Sequence, residues 1–159
     1  MKVVIFGSHG LVGSSLVRIL DKSEKNFKII ESNRSTLDIF NKNNVEEFFK
    51  ATQPDVIINA AAKVGGIYAN NTKRTDFILE NLKINMNLLE CAIPFSDMKV
   101  INLGSSCIYP LESKNPISEE SFMTGSLEPT NSPYAMAKIT AIEIGRSITS
   151  QYGNTIINL

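Results

Sequence analysis

Short apolar runs alternate along the chain with longer segments in which apolar residues recur at helical spacing. The runs are continuous and rich in β-branched residues, which is typical of strands buried on both faces of a sheet. They predict strands over 3–6, 27–30, 36–39, 56–58, 100–103 and 155–157. The periodic segments predict helices over 11–20, 45–51, 75–93 and 132–151.

Polar residues mark the starts of two of these helices. Asn43 or Asn44 is expected to cap the second helix, which would place Glu46 and Glu47 favourably in its first turn. Ser132, followed directly by a proline, is expected to cap the last helix.

The helix over 75–93 carries apolar residues on more than one face. One row runs from Ile78 to Ile93, and a second runs from Phe77 to Cys91. One face can cover a sheet, and the other then needs a partner, such as a second subunit.

The alternation of strands and helices predicts the fold class. It implies a mostly parallel sheet with helices on both faces, which is the doubly wound α/β arrangement of a Rossmann fold. Ligands bind such sheets beyond the carboxyl ends of the strands, so the residues that follow each strand are the candidates for chemistry. The polar segment over 108–131 is also a candidate, because loops of that length in compact domains are usually functional.

The composition is that of one ordinary globular domain. The chain has 159 residues, of which 43% are hydrophobic and 20% charged. Sixteen basic residues balance sixteen acidic ones, so no net charge favours nucleic acid or an anionic membrane. No apolar run approaches the ~20 residues that span a bilayer, and the N-terminus lacks a signal-peptide pattern. One histidine and two cysteines offer neither a metal site nor a disulfide framework, so we expect a cytoplasmic protein without a metal.

A glycine motif, GSHGLVG, follows the first predicted strand and opens the first predicted helix. Gly7 would permit a tight turn, Gly10 would let backbone N–H groups approach a pyrophosphate, and Gly13 would allow close packing of helix on strand. The N-terminus of the helix adds partial positive charge. In this position the motif predicts a dinucleotide-binding loop, which includes Leu11.

The residues after the second strand bear on the choice between NAD and NADP. An acidic residue there binds the ribose 2′-hydroxyl of NAD, whereas a nearby arginine accommodates the 2′-phosphate of NADP. The stretch ESNRS contains both Glu31 and Arg34. If Glu31 is only a surface charge at the end of a strand, Arg34 determines the cofactor preference, and we favour NADP over NAD.

Small residues follow the strand over 56–58. Ala60, Ala61 and Ala62 would let the backbone approach a flat ligand closely, although tight packing alone would also explain them.

Tyr134 and Lys138 are four residues apart and would share one face of the last helix. A neighbouring ammonium group would lower the pKa of the phenol from its usual value of about 10, so that Tyr134 could exchange a proton with a carbonyl or hydroxyl group. The spacing alone occurs by chance. Together with the glycine loop, and with Ser105 at the end of a predicted strand, it indicates a reductase site.

These residues together resemble the extended short-chain dehydrogenase/reductase superfamily. Three stretches narrow the resemblance, namely AAAKVGGIYANN over 60–71, LGSSCIYP over 103–110 and LEPTNSPYAMAKI over 127–139. They are similar to the GDP-L-fucose synthases, the NADPH-dependent 3,5-epimerase/4-reductases of GDP-4-keto-6-deoxy-D-mannose. The resemblance covers essentially the whole chain.

The resemblance implies a role for each matching residue. Ser105 would hydrogen-bond the C4 oxygen of the substrate, Tyr134 would donate a proton to that oxygen, and Lys138 would bind the nicotinamide ribose. Asn81 matches an asparagine that helps to organise the site. Cys107 matches the acid/base of epimerisation, since the C4 ketone acidifies the protons at C3 and C5 and a thiolate could remove them. Cys107 could instead be a small buried hydrophobic residue.

The resemblance also implies parts that this sequence does not contain. It makes residues 1–159 the NAD(P)-binding Rossmann domain, the N-terminal half of such an enzyme, without its last strand and its C-terminal substrate-binding lobe. A second acid/base, a histidine, would lie beyond Leu159, because the glycine loop places His9 at the phosphates instead. The family often has arginine where this chain has His9. Either the sequence is a fragment, which a bare apolar sheet edge favours, or it is a remnant that binds a dinucleotide without completing catalysis.

Two alternatives to this function stay open at the level of sequence. The chain could belong to a sister enzyme that acts on another GDP-4-keto sugar, such as a GDP-heptose. It could also be a non-catalytic dinucleotide-binding module. For the complete enzyme, the resemblance implies a GDP-sugar substrate and a homodimer that pairs its long helices.

Overall fold

The computed structural model describes residues 1–159, and its centre is a five-stranded parallel sheet. The strands are β1 (Lys2–Phe6), β2 (Lys28–Ser32), β3 (Val56–Asn59), β4 (Lys99–Asn102) and β5 (Ile156–Asn158). Their order across the sheet is β2-β1-β3-β4-β5, and every neighbouring pair is parallel. The predicted doubly wound α/β fold is therefore confirmed.

Five α-helices connect or flank the strands. They are α1 (Leu11–Asp21), α2 (Lys42–Thr52), α3 (Ile67–Thr72), α4 (Arg74–Ala92) and α5 (Ser132–Tyr152). Two short 3-10 turns occupy Ser106–Ile108 and Glu119–Ser121. None of the helices combines the length and hydrophobicity that a membrane-spanning segment requires.

Side chains that alternate along β1 divide the core into two layers. Val4 and Phe6 face a large cluster built from α2, α4 and α5, whereas Val3 and Ile5 face a smaller cluster under α1. All four side chains are buried, which explains why the strand is apolar without interruption. The larger layer is closed by aromatic edge-to-face contacts, for example between Phe6 and Phe49 with ring centroids 6.0 Å apart.

The chain reverses its direction of travel across the sheet between β1 and β3. From β1 it crosses to β2 on one side, and it then returns to place β3 on the other side of β1. The loops after β1 and β3 therefore diverge over the same edge, which is where doubly wound sheets bind ligands.

The predicted strand over 36–39 is wrong, because this segment is a turn and a loop. The Asn33 carbonyl accepts hydrogen bonds from the N–H groups of Thr36 and Leu37, and Asn33 Oδ1 accepts from Ser35 N at 2.9 Å. These local hydrogen bonds use the backbone groups that a sheet would need. The apolar residues Leu37 and Ile39 are explained by packing against the larger core cluster.

The predicted helix caps are wrong by one to three residues. Asn41 caps α2 by accepting from Asn43 N at 3.0 Å, so the helix begins early and no acidic residue falls in its first turn. Helix α5 begins at Ser132, with Asn131 at the capping position and a proline in the first turn. The Ser132 hydroxyl instead donates to the Pro129 carbonyl.

Two further differences concern the long helix. The short helix α3 before it was not predicted, because it spans only six residues, too few to show a helical period. Helix α4 packs against both α5 and α2 of the same chain, and Phe77, Leu88 and Cys91 of its second apolar row are buried. Leu79 and Met86, also on α4, stay about half exposed at 48% and 47%.

Candidate functional site

The glycine loop after β1 is held against two neighbouring strands. Gly7 has a φ of 73°, which favours glycine, and its N–H donates to the Ser32 carbonyl at 2.9 Å. A Cβ atom at Gly7 would lie 2.8 Å from the Ala60 carbonyl oxygen, and one at Gly13 would overlap the Gly7 carbonyl. Both positions require glycine because backbone, not a movable side chain, fills the space. Gly10 leads into α1 without a capping side chain, so the first N–H groups of that helix are left for other partners.

A cleft of about 830 Å³ lies along this loop at the reversal between β1 and β3. Residues of the predicted cofactor-binding set line it together: Gly7, Gly10, Leu11, Arg34, Ala60, Ala61 and Ala62. Gly13 packs behind the loop, under the Gly7 carbonyl. Tyr134 and Lys138, which were also predicted to touch the cofactor, do not line this cleft and belong to the cluster described below.

Ser32 was not predicted, yet it has the properties of a ligand-binding residue. It ends β2, it lines the cleft, it is 2% exposed, and its hydroxyl has no hydrogen-bond partner. A buried hydroxyl without a partner is unfavourable unless something binds it. The glycine cradle and this hydroxyl therefore fit a nucleotide ligand. The position of Ser32 at the end of the second strand was the signal that could have identified this residue from the sequence.

The structure separates the two charged candidates after β2. Arg34 lines the cleft, whereas Glu31 does not and instead lies beside the His9 ring, with Glu31 Oε2 3.9 Å from His9 Nε2. Glu31 thus fits the description of a strand-end surface charge. Glu80 also lines the cleft and forms a half-buried ion pair with Lys63 at 3.2 Å.

A second group of polar side chains gathers at the end of β4. The chain leaves the strand, passes Ser105 and enters the short 3-10 turn that carries Cys107, whose N–H donates to Ser105 Oγ at 3.5 Å. The first turns of α5 bring Tyr134 and Lys138 to the same place. The Ser105 hydroxyl is near enough to both Tyr134 and Cys107 to lower the pKa of each. Ser105 is thus the shared neighbour of a phenol and a thiol.

Burial nonetheless raises the pKa of both groups. For Cys107, desolvation is the largest influence and raises the pKa of the thiol, while the Ser105 hydrogen bond and the Lys138 charge oppose it. For Tyr134, desolvation again raises the pKa first, followed by repulsion from the Cys107 thiolate. Both groups therefore hold their protons at neutral pH. The prediction that the pKa of the phenol would be lowered is wrong for this structure.

The position of Lys138 explains the difference. The residue is 3% exposed, and its ammonium group donates to the Leu103 carbonyl at 2.7 Å and lies 5.9 Å from the centre of the Tyr134 ring. Burial lowers the pKa of the ammonium, whereas the Cys107 charge raises it. The Lys138 hydrogen bond also joins α5 to the end of β4. The Tyr134 ring also packs edge-to-face with Phe77 of α4, with centroids 6.4 Å apart.

Asn81 is fully buried in α4 and acts on the loop after β3. Its Oδ1 accepts from Lys63 N at 2.9 Å, and its Nδ2 donates to the carbonyls of Lys63 at 3.0 Å and Phe77 at 2.7 Å. Both ends of the amide are therefore used on backbone. In this structure Asn81 is a positioning residue for the loop that lines the cleft.

Asparagines that sequence reasoning missed lie between the cleft and the cluster. Asn59, Asn102 and Asn158 end β3, β4 and β5 in register, and their side chains are hydrogen-bonded in a row. Asn59 also bonds to Asn85 of α4 and accepts from the backbone N–H of Ala61. The repeated sequence endings IIN, VIN and IIN were the available signal.

Curated relatives share most of this chain. It is 41% identical over 157 residues to the GDP-L-fucose synthase of Sinorhizobium fredii. This alignment covers 99% of the chain and 49% of the relative. It is 44% identical over 153 residues to GDP-L-fucose synthase 1 of Arabidopsis thaliana. That alignment covers 96% of the chain and 47% of the relative. The chain thus spans about half the length of the curated relatives it matches.

Solved structures share the fold as well. A GDP-D-glycero-L-gluco-heptose synthase from Campylobacter jejuni, determined in the presence of NADPH, superposes with a TM-score of 0.92 at 34% identity. The match covers 99% of this chain and 46% of that one.

The family model for NAD dependent epimerases and dehydratases matches residues 3–159. That span takes in the glycine loop, the loop after β3 and the polar cluster at the end of β4, so the features described above are all inside the match. On this evidence the chain belongs to the NAD dependent epimerase/dehydratase family.

Proposed function

We propose that this chain is the nicotinamide-dinucleotide-binding half of a GDP-L-fucose synthase, which converts GDP-4-keto-6-deoxy-D-mannose to GDP-L-fucose with NADPH. The observation that carries the proposal is that Ser105 neighbours both Tyr134 and Cys107. A reductase needs the serine and the phenol at the carbonyl oxygen. The thiol of Cys107, beside the same serine, adds a group that can transfer a proton to or from carbon. The similarity to two GDP-L-fucose synthases supports the same assignment.

The reductive half of the reaction would use Ser105 and Tyr134. The glycine loop, Arg34 and Ala60 would hold NADPH in the cleft, and the cofactor would supply hydride to the substrate. Ser105 would hydrogen-bond the C4 oxygen, and Tyr134, which holds its proton because burial raises the pKa of the phenol, would donate that proton to the oxygen. Lys138, fixed on the Leu103 carbonyl, would keep positive charge beside the phenol as it becomes negative.

The epimerising half would use Cys107. A C4 ketone acidifies the protons at C3 and C5, because the electrons left behind are delocalised onto the ketone oxygen. The Cys107 thiolate would take up one such proton, and a second acid on the opposite face would return a proton to the carbon. Since burial raises the pKa of the thiol, the thiolate depends on Ser105 and Lys138, which both lower that pKa.

The cofactor proposal rests on the charges around the cleft. Arg34 lines it and Glu31 does not, which favours a ligand with a 2′-phosphate. The expected result is that residues 1–159 bind NADPH more tightly than NADH, measured by the quenching or enhancement of nicotinamide fluorescence. Arg34→Gln should weaken NADPH binding and leave NADH binding nearly unchanged.

The activity itself is tested on the complete protein that contains these residues. Supplied with the keto-sugar in heavy water, it should exchange the C3 and C5 protons, and Cys107→Ala should abolish that exchange. Tyr134→Phe is the matched variant, because it should stop reduction while leaving exchange in place. Exchange that persists in Cys107→Ala would contradict the role of the thiol.

A second candidate is an enzyme for another GDP-4-keto sugar. The similarity to the Campylobacter heptose synthase, at a TM-score of 0.92, is the observation that favours it. A panel of GDP-4-keto-6-deoxy-D-mannose and GDP-keto-heptoses decides between the two. Turnover of neither, with NADPH binding intact, would indicate a non-catalytic module.

We further infer a cytoplasmic homodimer. Cys91 and Cys107 are both free thiols, which fits a reducing compartment. Leu79 and Met86 stand seven residues apart on one exposed face of α4, where a second copy could pack. Met86→Glu should shift the mass measured by light scattering from dimer to monomer.

A further inference from the structure

Helix α4 contributes to the cleft between two loops. Ile84 of this helix lines the cleft, and so do residues 37–40 after β2 and most of residues 60–64 after β3. We call these two segments the β2 wall and the β3 wall. Asn81 holds the β3 wall, because its side-chain amide bonds to both the N–H and the carbonyl of Lys63. One wall of the cleft is therefore fixed to α4 by an asparagine.

A second asparagine of α4 holds the β2 wall. Asn87 Nδ2 donates to the Ile39 carbonyl at 2.9 Å and to the Phe40 carbonyl at 3.0 Å. Both partners are acceptors, and a side-chain amide nitrogen carries the two hydrogens that serve them together. The two carbonyls lie outside the helices and the sheet, in a turn where Asp38 Oδ1 accepts from Phe40 N at 3.0 Å. Asn87 thus links this turn to α4.

The two asparagines act from one rigid element. Asn81 and Asn87 are six residues apart, which places them about 9 Å apart along the helix axis. Ile84, which lies between them in the sequence, is 3% exposed and lines the cleft. Because the same helix fixes the backbone of both walls, it also fixes the separation between the walls.

We propose that Asn87 is a positioning residue for the adenosine end of the bound dinucleotide. This rests on the proposed function, in which Arg34, just after β2, meets the 2′-phosphate. The adenosine then lies along the β2 wall, and its flat purine ring needs that wall at a fixed distance from the β3 wall. Asn87 holds the β2 wall in place before the nucleotide arrives, so less conformational entropy is lost on binding.

The first experiment removes the two donors and keeps the shape of the side chain. Leucine is close in size to asparagine and cannot donate, so Asn87→Leu separates hydrogen bonding from packing. The Kd for NADPH, measured by nicotinamide fluorescence, should rise roughly five- to tenfold. The Kd for 2′,5′-ADP, which carries only the adenosine end, should rise by the same factor when it is measured by competition with NADPH. A loss for NADPH without an equal loss for 2′,5′-ADP would overturn the proposal.

The matched control breaks a neighbouring contact between the same two parts of the chain. Lys42 at the start of α2 forms an ion pair with Glu90 of α4 at 2.6 Å, and neither residue lines the cleft. Glu90→Gln should therefore leave both Kd values unchanged. If Glu90→Gln weakened binding as much as Asn87→Leu, any loosening of α2 from α4 would suffice, and Asn87 would have no specific role.

Hydrogen exchange separates positioning from general stability. In the protein without nucleotide, Asn87→Leu should speed amide exchange over 36–41, while β1 and β3 keep their protection. Saturating NADPH should slow the exchange over 36–41 again, because the nucleotide orders the loosened wall. Loss of protection across the whole sheet would mean that Asn87 serves the fold and not the cleft, which would overturn the proposal.

The outcomes distinguish this proposal from the one on which it rests. If the parent chain binds neither NADPH nor 2′,5′-ADP, the cofactor assignment and this proposal are both contradicted. Tight binding that Asn87→Leu leaves unchanged would contradict only the role of Asn87. Should circular dichroism show that the leucine variant does not fold, Asn87→Ser is the second variant. Its side chain is too short to serve both carbonyls, so the same loss of affinity is expected.

Discussion

Asn59 lies directly opposite Asn102 at the carboxyl ends of β3 and β4, and its side-chain nitrogen donates to Asn102 Oδ1 at 2.9 Å. The side-chain nitrogen of Asn102 in turn donates to Asn158 Oδ1 at 3.2 Å, which extends the row to β5. Gly145 of α5 makes room for this row, because a Cβ atom there would lie 3.0 Å from Asn158 Nδ2. The row joins the strand that ends at the cleft to the strand that ends at Ser105.

Asn102→Ala should lower the free energy of unfolding by about 2 kcal/mol, measured by urea denaturation. The substitution leaves one N–H of the buried Asn59 amide and the Oδ1 of the half-buried Asn158 without their partners, and unpaired buried polar groups cost roughly 1–3 kcal/mol. Asn26→Ala, at an exposed site, should change stability by less than about 0.5 kcal/mol. If the row acts as a unit, the Asn59→Ala/Asn102→Ala double variant should lose less than the sum of the single losses. Equal effects at positions 26 and 102 would contradict this role.

Gly13→Ala should abolish dinucleotide binding and destabilise the chain by about 3 kcal/mol or more. The added methyl group would overlap the Gly7 carbonyl, so the glycine loop would have to move away from α1. Gly66→Ala is the matched control, because nothing lies within 4 Å of a Cβ atom there. Fluorescence titration with NADPH and thermal melting of both variants provide the measurement. Unimpaired binding by Gly13→Ala would show that the loop does not need this close approach.

Cys107 should react with iodoacetamide slowly at neutral pH and faster in alkaline buffer, because only the thiolate reacts and burial raises the pKa of this thiol. Lys138→Met removes a charge that lowers this pKa, so the rate curve should move to higher pH. Lys99→Gln, at the far end of β4, should leave it in place. Peptide mass spectrometry also follows Cys91, the pKa of which burial raises to about 11, as an internal slow thiol. A curve that Lys138→Met leaves unmoved would contradict the electrostatic link.

Much of the fold follows from local sequence, and the exceptions have physical causes. Buried strands such as β1 and β3 are predictable because both faces are covered, so that Val3–Phe6 and Val56–Ile58 are continuous apolar runs. The segment over 36–39 looks similar in sequence, but its apolar side chains pack from a turn that Asn33 organises. This packing depends on where the turn lies against the core, and the local spacing of apolar residues does not show that.

For the site, sequence reasoning finds residue types but not their environments. The glycines and alanines of the cleft are predictable because their role is to be small, so that backbone and ligand can approach closely. The pKa of Tyr134 is not, because it depends on how deeply the phenol is buried beside Cys107. Ser32 is likewise an ordinary serine until the structure shows its hydroxyl buried without a partner.

Arg74 of α4 holds the segment that leads into α5. Its guanidinium donates to the Pro129 carbonyl at 2.8 Å and to Ser132 Oγ at 3.0 Å. Glu128 stabilises the same turn by accepting from the Thr130 hydroxyl and from Thr130 N at 3.0 Å, and these two hydrogen bonds, the hydroxyl's most, lower the pKa of its carboxyl. The turn therefore sets where the first residues of α5 begin.

Arg74→Gln should loosen this turn without unfolding the chain. We expect faster amide hydrogen exchange over 127–134 and a loss of about 1 kcal/mol in unfolding free energy, because the contacts are exposed and only partly replaced by water. Lys83→Gln, at an exposed site on the same helix, should leave the exchange unchanged. Tyr134 lies in the first turn of α5. If the proposed reduction takes place, Arg74→Gln in the complete protein should therefore lower kcat by a larger factor than it raises KM. An unchanged exchange pattern in Arg74→Gln would show that the turn is held by Glu128 alone.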